Sequence, residues 1–228
     1  GAVFLKTGLF AYILDGTGWI LYFESIVAGP ITIVGTLSAA YPALTVLFAR
    51  IFLHEALLPI QYAGVALVIL GCIGLSYSPP DPNAKATQRR WVLYASLALM
   101  FWGASQTLVK HAYTLPNASE ANLALFNTLG GMLTLGTYGL LKGRSGPHSG
   151  KEWFVSFLPM ALMAGGDLGF LVASRYGPIS IVTPITGAYP VVTLAFAAFA
   201  LKEKITPLQY LCVALILAGM FMSTIPSA

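Results

Sequence analysis

Long apolar segments alternate with short polar segments along nearly the whole chain. Each apolar segment contains about 20 residues, the length that an α-helix needs to cross the hydrocarbon core of a bilayer. Lipid cannot hydrogen-bond to a backbone, and these segments are too long and too continuous for barrel strands. We therefore predict an all-α polytopic membrane protein with eight transmembrane helices, at about residues 5–27, 31–53, 58–78, 91–113, 120–141, 153–175, 179–201 and 206–226.

The composition favours the same class. Hydrophobic residues make up 57% of the chain, charged residues only 9%, and the mean hydropathy is +0.78. Such a chain has too few polar residues to cover the surface of a soluble globule. The formal net charge of +4 fits the flanks of membrane helices and gives no reason to expect nucleic acid as a partner.

One stretch of sequence occurs twice. Residues 29–71 and 177–219 lie 148 positions apart and are identical at 20 of 43 positions when they are aligned without a gap. Five crossings separate the first span from its equivalent, the sixth, and an odd number inverts one copy relative to the other. Inverted repeats can exchange conformations and so expose one cavity to either side of a membrane, which indicates a transporter.

The second copy has two helices that the first copy lacks. We divide the chain into an incomplete first repeat of three helices (1–78), a proline-rich linker (79–90) and a complete second repeat of five helices (91–228). The repeat offset places the equivalent of Trp91 roughly 57 positions before Gly1, which is enough for two more spans. We expect a natural protein of ten helices whose first two are not part of this sequence.

Several short motifs recur in the same order in the two copies. They are Tyr41-Pro42 and Tyr189-Pro190, Leu53-His54-Glu55 and Leu201-Lys202-Glu203, and Pro59-x-Gln61-Tyr62 and Pro207-x-Gln209-Tyr210, with Phe101-Trp102-Gly103-Ala104 in the fourth span. With these motifs nearly the whole chain resembles the drug/metabolite transporter superfamily, in its EamA-type branch of two five-helix repeats. The resemblance implies a carrier without a bound cofactor that often exports amino acids or other small metabolites. We expect it in the bacterial inner membrane.

Two carboxylates lie inside predicted spans. Asp15 is near the middle of the first span and Asp167 is well inside the sixth, where an ionisable group costs about 2.5 to 3.5 kcal/mol even on the most lenient scale. Asp15, Trp19 and Tyr22 follow i, i+4, i+7 spacing and share one helix face. An acidic, aromatic face suits a cationic or zwitterionic substrate, or a proton relay. The alternative is a pair of buried aspartates, each hydrogen-bonded to a neighbouring helix.

Other polar or aromatic side chains within the spans are further candidates for the substrate path. Trp102 and Gln106 are one turn apart, and Asn127 lies in the fifth span. Gln106 and Asn127 could either join helices or line the path. Tyr41 and Tyr189 could supply hydroxyl groups next to the prolines that follow them.

Proline and glutamate residues at equivalent places have simpler structural interpretations. Pro42 and Pro190 should kink or break the second and seventh spans, either for packing or to open the backbone towards a cavity. Glu55 and Glu203 precede the third and eighth spans, where a carboxylate favours the helix dipole. Thr206 and Gln209 have the spacing of a capping box.

The residues do not favour an enzyme. The three histidines are scattered, with no metal-ligand spacing and no nucleophile motif, so we predict no metal site and no catalytic residue. Our prediction is a secondary transporter that moves a small polar or amphipathic metabolite, outward, by alternating access. The alternatives are proton-coupled efflux of lipophilic cations and a non-transporting partner subunit. The expected partners are the substrate, the lipid bilayer, protons and a second copy in a homodimer.

Overall fold

A computed structural model describes residues 2–29, 34, 40–76, 90–142, 150–188, 191–192, 195, 199 and 206–225. Within these residues all regular secondary structure is helical, which confirms the predicted all-helical class. We number the helices α1 (Ala2–Ala28), α2 (Tyr41–Phe52), α3 (Pro59–Ser76), α4 (Arg90–Ala112), α5 (Glu120–Gly131), α6 (Thr137–Lys142), α7 (Gly150–Tyr176), α8 (Ile179–Thr186) and α9 (Pro207–Ser223). A π-helical segment, Met132–Gly136, joins α5 to α6.

Two of the predicted spans are interrupted near their middle. In the second span Val34 is helical and Ala40 lies in a turn, so that α2 begins only at Tyr41. In the seventh span α8 ends at Thr186, and a turn follows at Gly187 and Ala188. Each interruption is close to a Tyr-Pro motif, because proline cannot donate a backbone hydrogen bond and clashes with the preceding turn.

The outer surface of the helices is apolar. By length and composition, two helical segments within the described residues could cross a membrane, Arg90–Ala112 and Phe154–Tyr176, and shorter apolar helices are Tyr41–Phe52, Pro59–Gly74 and Pro207–Ser223. Along α7 the large side chains point outward, with Phe154 84% and Phe157 73% exposed. A continuous exposed apolar face of this length fits contact with lipid rather than with water.

Helix α1 packs against α4 and α5 and forms the largest apolar cluster. Phe4 and Tyr12 of α1 meet Val109 of α4 and Leu123 and Phe126 of α5, all of them buried. The rings of Phe4 and Phe126 are tilted, with centroids 5.4 Å apart. This packing brings the middle of α1 close to the middle of α4 and α5.

Helices α3 and α9 show the relation between the two copies directly. A Cβ on Gly64 would lie 2.6 Å from the carbonyl oxygen of Gly219, and a Cβ on Gly71 would lie 2.8 Å from that of Cys212. Under the 148-residue offset Gly64 corresponds to Cys212 and Gly71 to Gly219, so the two contacts are equivalent. The earlier residue of α3 meets the later residue of α9, and the later residue of α3 meets the earlier one of α9. The two helices are therefore antiparallel, as an inverted repeat requires.

We expect Gly64→Ala to destabilise the protein, because the new methyl group would overlap backbone atoms of α9 that cannot move aside. Overpacking of this kind costs about 1 to 3 kcal/mol. The matched control is Gly139→Ala, since no atom lies within 4 Å of a Cβ built there. Thermal unfolding of the detergent-solubilised variants measures the effect, and equal melting temperatures for the two would contradict this account of the α3–α9 contact.

Candidate functional site

A cavity of about 520 Å³ lies in the middle of the helix bundle. Helices α1, α4, α5, α7 and α8 contribute to its wall, together with the π-helical segment and the first residue of α2. Its polar side chains are those of Tyr12, Asp15, Trp19, Tyr41, Ser105, Gln106, Asn127, Asp167 and Thr186. Among the described lining residues there are two carboxylates and no lysine, arginine or histidine.

The two predicted intramembrane aspartates face this one cavity from different helices. Asp15 comes from α1 and Asp167 from α7, and they are close enough for their charges to interact. Trp19 lies one turn along α1 from Asp15 and lines the same cavity. Because two ionised carboxylates repel each other in a medium of low dielectric constant, a proton or a cationic group in the cavity would stabilise the pair.

Asn127 both joins helices and lines the cavity. Its Nδ2 donates a hydrogen bond of 3.3 Å to Oδ2 of Asp167, which connects α5 to α7. The π-helical segment begins five residues later, and its Leu135 also lines the cavity. π-helical turns inside α-helices are frequent at functional sites because they widen the helix locally.

Gln106 presents an acceptor that has no partner among the described residues. Its side chain lines the cavity, and its Oε1 is buried without a hydrogen bond there. A buried acceptor without a partner is costly, and such groups call for an explanation such as a ligand or an ordered water molecule. A substrate with an N–H or O–H group would supply the missing donor.

An aromatic cluster supports one wall of the cavity. Trp102 is only 8% exposed and packs against Trp19, Tyr22 and Tyr41, with ring centroids 5.0, 5.4 and 5.9 Å away. Trp19 and Tyr41 line the cavity, whereas Trp102 and Tyr22 stand behind them. The structure thus brings four of the five predicted aromatic residues together, and two of the four line the cavity.

The interrupted helices meet beside the cavity. Pro42 is buried in the first turn of α2. Gly187 lies in the turn that ends α8, and a Cβ built on it would be 3.2 Å from the Pro42 side chain. Thr186, the last residue of α8, lines the cavity, and its hydroxyl donates to the carbonyl groups of Val182 and Thr183. Tyr189 and Pro190, the other predicted residues of this region, lie outside the described residues.

Two polar lining residues, Tyr12 and Thr186, were not among the sequence-based candidates. Tyr12 lies three residues before Asp15 on α1, and this spacing, which places residues on one helix face, could have identified it. Thr186 has no sequence signal of its own, because threonine commonly bonds to its own helix. Ser105, a polar residue within the fourth span next to Gln106, lines the cavity as well.

The predicted structural residues hold helix ends outside the cavity. Thr206 and Gln209 form the capping box of α9, in which the Gln209 backbone N–H donates to the Thr206 hydroxyl oxygen at 3.3 Å. The Glu55 carboxylate accepts hydrogen bonds from the start of α8 and not from α3, the helix it precedes. Glu203 lies outside the described residues.

Glu24 of α1 does not belong to the cavity lining either. It accepts a hydrogen bond of 2.7 Å from the Tyr138 hydroxyl and forms an ion pair with Lys142, both in α6. This pair connects the end of α1 to α6 at the exposed margin of the bundle. Among the acids of α1, Asp15 is therefore the one that faces the cavity.

An all-helical bundle with an apolar outer surface and an acidic cavity among its helices defines a polytopic membrane protein. The model of the EamA-like transporter family matches residues 3–77 and 89–225, and the chain belongs to this family. It is therefore an integral membrane transporter of the drug/metabolite type, in a family of transporters rather than enzymes. The fold is similar to that of a solved crystal structure, with a TM-score of 0.72 and 19% identity over 97% of this chain and 88% of the other. No curated protein matches the chain.

We expect Asn127→Asp to destabilise the protein at neutral pH, because it replaces a donor to Asp167 with a third carboxylate. Loss of a buried hydrogen-bond partner costs about 1 to 3 kcal/mol. The loss of stability should be smaller at acidic pH, because a protonated carboxyl group at position 127 can again donate a hydrogen bond to Asp167. The control is Asn122→Asp, in the exposed first turn of α5. The measurement is the melting temperature of each variant at neutral and at acidic pH. Equal changes in melting temperature for the two variants would contradict the prediction.

Proposed function

We propose that this protein is a secondary transporter of the bacterial inner membrane that moves a small polar or amphipathic metabolite outward by alternating access. The observation that carries the proposal is the cavity in the middle of the bundle, whose lining includes acidic residues from two different helices. Its volume of about 520 Å³ is within the range of small-molecule sites. Alternating access is supported by the antiparallel contact of α3 and α9.

The charges of the cavity favour a substrate with an ammonium group. Asp15 and Asp167 attract a cation, and the rings of Trp19 and Tyr41 present faces that attract cations as well. Gln106 can accept a hydrogen bond from the same substrate. Because the described lining has no basic side chain, the carboxylate of an amino acid would meet two like charges and no cationic partner there. Between the cationic and zwitterionic substrates that the sequence leaves open, the geometry favours the cationic one.

Proton-coupled efflux of a lipophilic cation is the second candidate. It is favoured by the presence of two carboxylates in one cavity, since a proton and a cation can then compete for the same group. In this case protons that enter the cavity would drive the cation out. The two candidates share the site and differ in the cargo and in the dependence of flux on a proton gradient.

The test is counterflow of a radiolabelled primary amine, of the amino acid that differs from it only by a carboxylate, and of a lipophilic cation. We expect saturable flux of the amine and about tenfold less flux of the amino acid, because an unpaired buried carboxylate costs more than 1.4 kcal/mol. Asp15→Asn should also reduce amine flux by about tenfold, because it removes a charged hydrogen-bond partner of the ammonium group. Reconstituted proteoliposomes give these rates directly.

The matched control is Glu24→Gln, which makes the same chemical change in α1 but outside the cavity and should leave flux unchanged. Faster flux of the amino acid than of the amine would contradict the ammonium assignment. Flux of the lipophilic cation alone, abolished with the proton gradient, would establish the second candidate. Absence of flux for all three solutes would overturn the proposal in favour of a partner subunit without transport activity.

A further inference from the structure

Glu55 connects the two repeats at one end of the bundle. It lies in the loop between α2 and α3, and its carboxylate reaches the start of α8, more than a hundred residues away in the sequence. Oε1 accepts a hydrogen bond from the Ile179 backbone N–H at 2.9 Å. Oε2 accepts one from the Ser180 N–H at 3.0 Å and one from the Ser180 hydroxyl at 2.7 Å. We call these three bonds the Glu55 clasp.

The chemistry of a helix start makes the clasp favourable. The first backbone N–H groups of α8 have no partner within their own helix, and the N-terminus carries partial positive charge. A carboxylate satisfies both, with charge-assisted hydrogen bonds that are stronger than neutral ones. The residue before Glu55, His54, has a left-handed backbone with φ of 55°, and Arg50 donates to the carbonyl oxygen of Glu55 at 3.2 Å. The loop is thus shaped and held so that the carboxylate points at α8.

A lysine holds the other side of the same turn. Lys110 of α4 donates from Nζ to the carbonyl oxygens of Ser174 at 2.8 Å and Gly177 at 2.6 Å, at the end of α7. A cation at a helix C-terminus is favourable for the same reason that an anion is favourable at an N-terminus. Lys110 and Glu55 also attract each other across the turn between α7 and α8.

An apolar layer separates the clasp from the cavity. Ala49, Ile179 and Val182 are buried against one another, with Leu53 and Phe170 packed around them. Phe170 also lines the cavity, and Ile179 is the residue whose N–H binds Glu55. From the cavity outward the order is therefore Phe170, the apolar layer and the clasp.

We propose that Glu55 is a gating residue, whose clasp on α8 keeps the cavity closed at the end of the bundle where α2 and α7 finish. The inference rests on the proposed alternating access, because only such a cycle requires this end to open. In the duplicated sequence Glu203 occupies the position equivalent to Glu55.

The test measures access to the cavity from each side of the membrane without any substrate. Thr186→Cys places a thiol in the cavity wall, in a background in which the buried Cys72 and Cys212 are replaced by alanine. A membrane-impermeant maleimide is then added to either face of oriented proteoliposomes. We expect Glu55→Gln to raise the labelling rate from the Glu55 face by about tenfold, the effect of losing one charge-assisted hydrogen bond, and to lower it from the other face.

Two further variants keep the result interpretable. Glu120→Gln removes the same charge at the same end, but the ion pair that Glu120 forms with Arg175 at 2.8 Å lies within the second repeat, so labelling should stay at the wild-type rate. Ser180→Ala removes one of the three bonds and no charge, and should give a smaller rise than Glu55→Gln. Unchanged labelling in Glu55→Gln, or an equal rise from both faces, would overturn the gate.

The labelling experiment also separates the gate from the proposed cargo. A protein that shows no flux of any solute, but in which Glu55→Gln shifts the labelling between faces, would overturn the cargo and leave the gate. A protein that transports the amine, but in which labelling does not respond to Glu55→Gln, would overturn the gate and leave the cargo.

Discussion

Every backbone polar group inside a lipid bilayer must find its partner within the protein, and the rest of this structure depends on that constraint. It explains why the apolar segments are helices. It also restricts where a helix can be interrupted, because the groups released at a break have no water to bind. The break near Gly187 obeys this restriction, since the Gly187 N–H bonds to the Thr183 carbonyl at 2.8 Å and Cys72 donates to the Gly187 carbonyl. This break lies beside the cavity, against Pro42 of α2 and Cys72 of α3.

The duplication of the sequence gives the structure its internal symmetry. Equivalent helices such as α3 and α9 run antiparallel and touch through equivalent contacts, Gly64 with Gly219 and Gly71 with Cys212. The interrupted helices α2 and α8 meet beside the cavity. Glu55 connects the beginning of α8 to the loop after α2, so the same pair of helices that borders the cavity also closes one of its ends.

The charge of the site follows from burial in the same environment. Carboxylates in the middle of a membrane are costly unless they have hydrogen-bond partners or a counter-ion. Asp167 has Asn127 as a hydrogen-bond partner, but no basic side chain among the described lining residues neutralises either acid. The charge of the described lining therefore favours the cationic substrate that we propose, and the Gln106 oxygen, which has no partner among the described residues, favours a substrate with a donor.

The sequence by itself determined the helical membrane class, the duplication and the intramembrane aspartates, because each is a property of composition or spacing that survives in any packing arrangement. It also singled out Gln106 and Asn127 as polar groups within apolar spans, Trp19 by its spacing from Asp15, and Tyr41 by its place before Pro42. Only the tertiary structure decided that Trp102 and Tyr22 stand behind the cavity wall, that Thr186 belongs to it, and that Glu55 binds α8 and not α3. These are contacts between helices far apart in the sequence, and local spacing carries no information about which helices become neighbours.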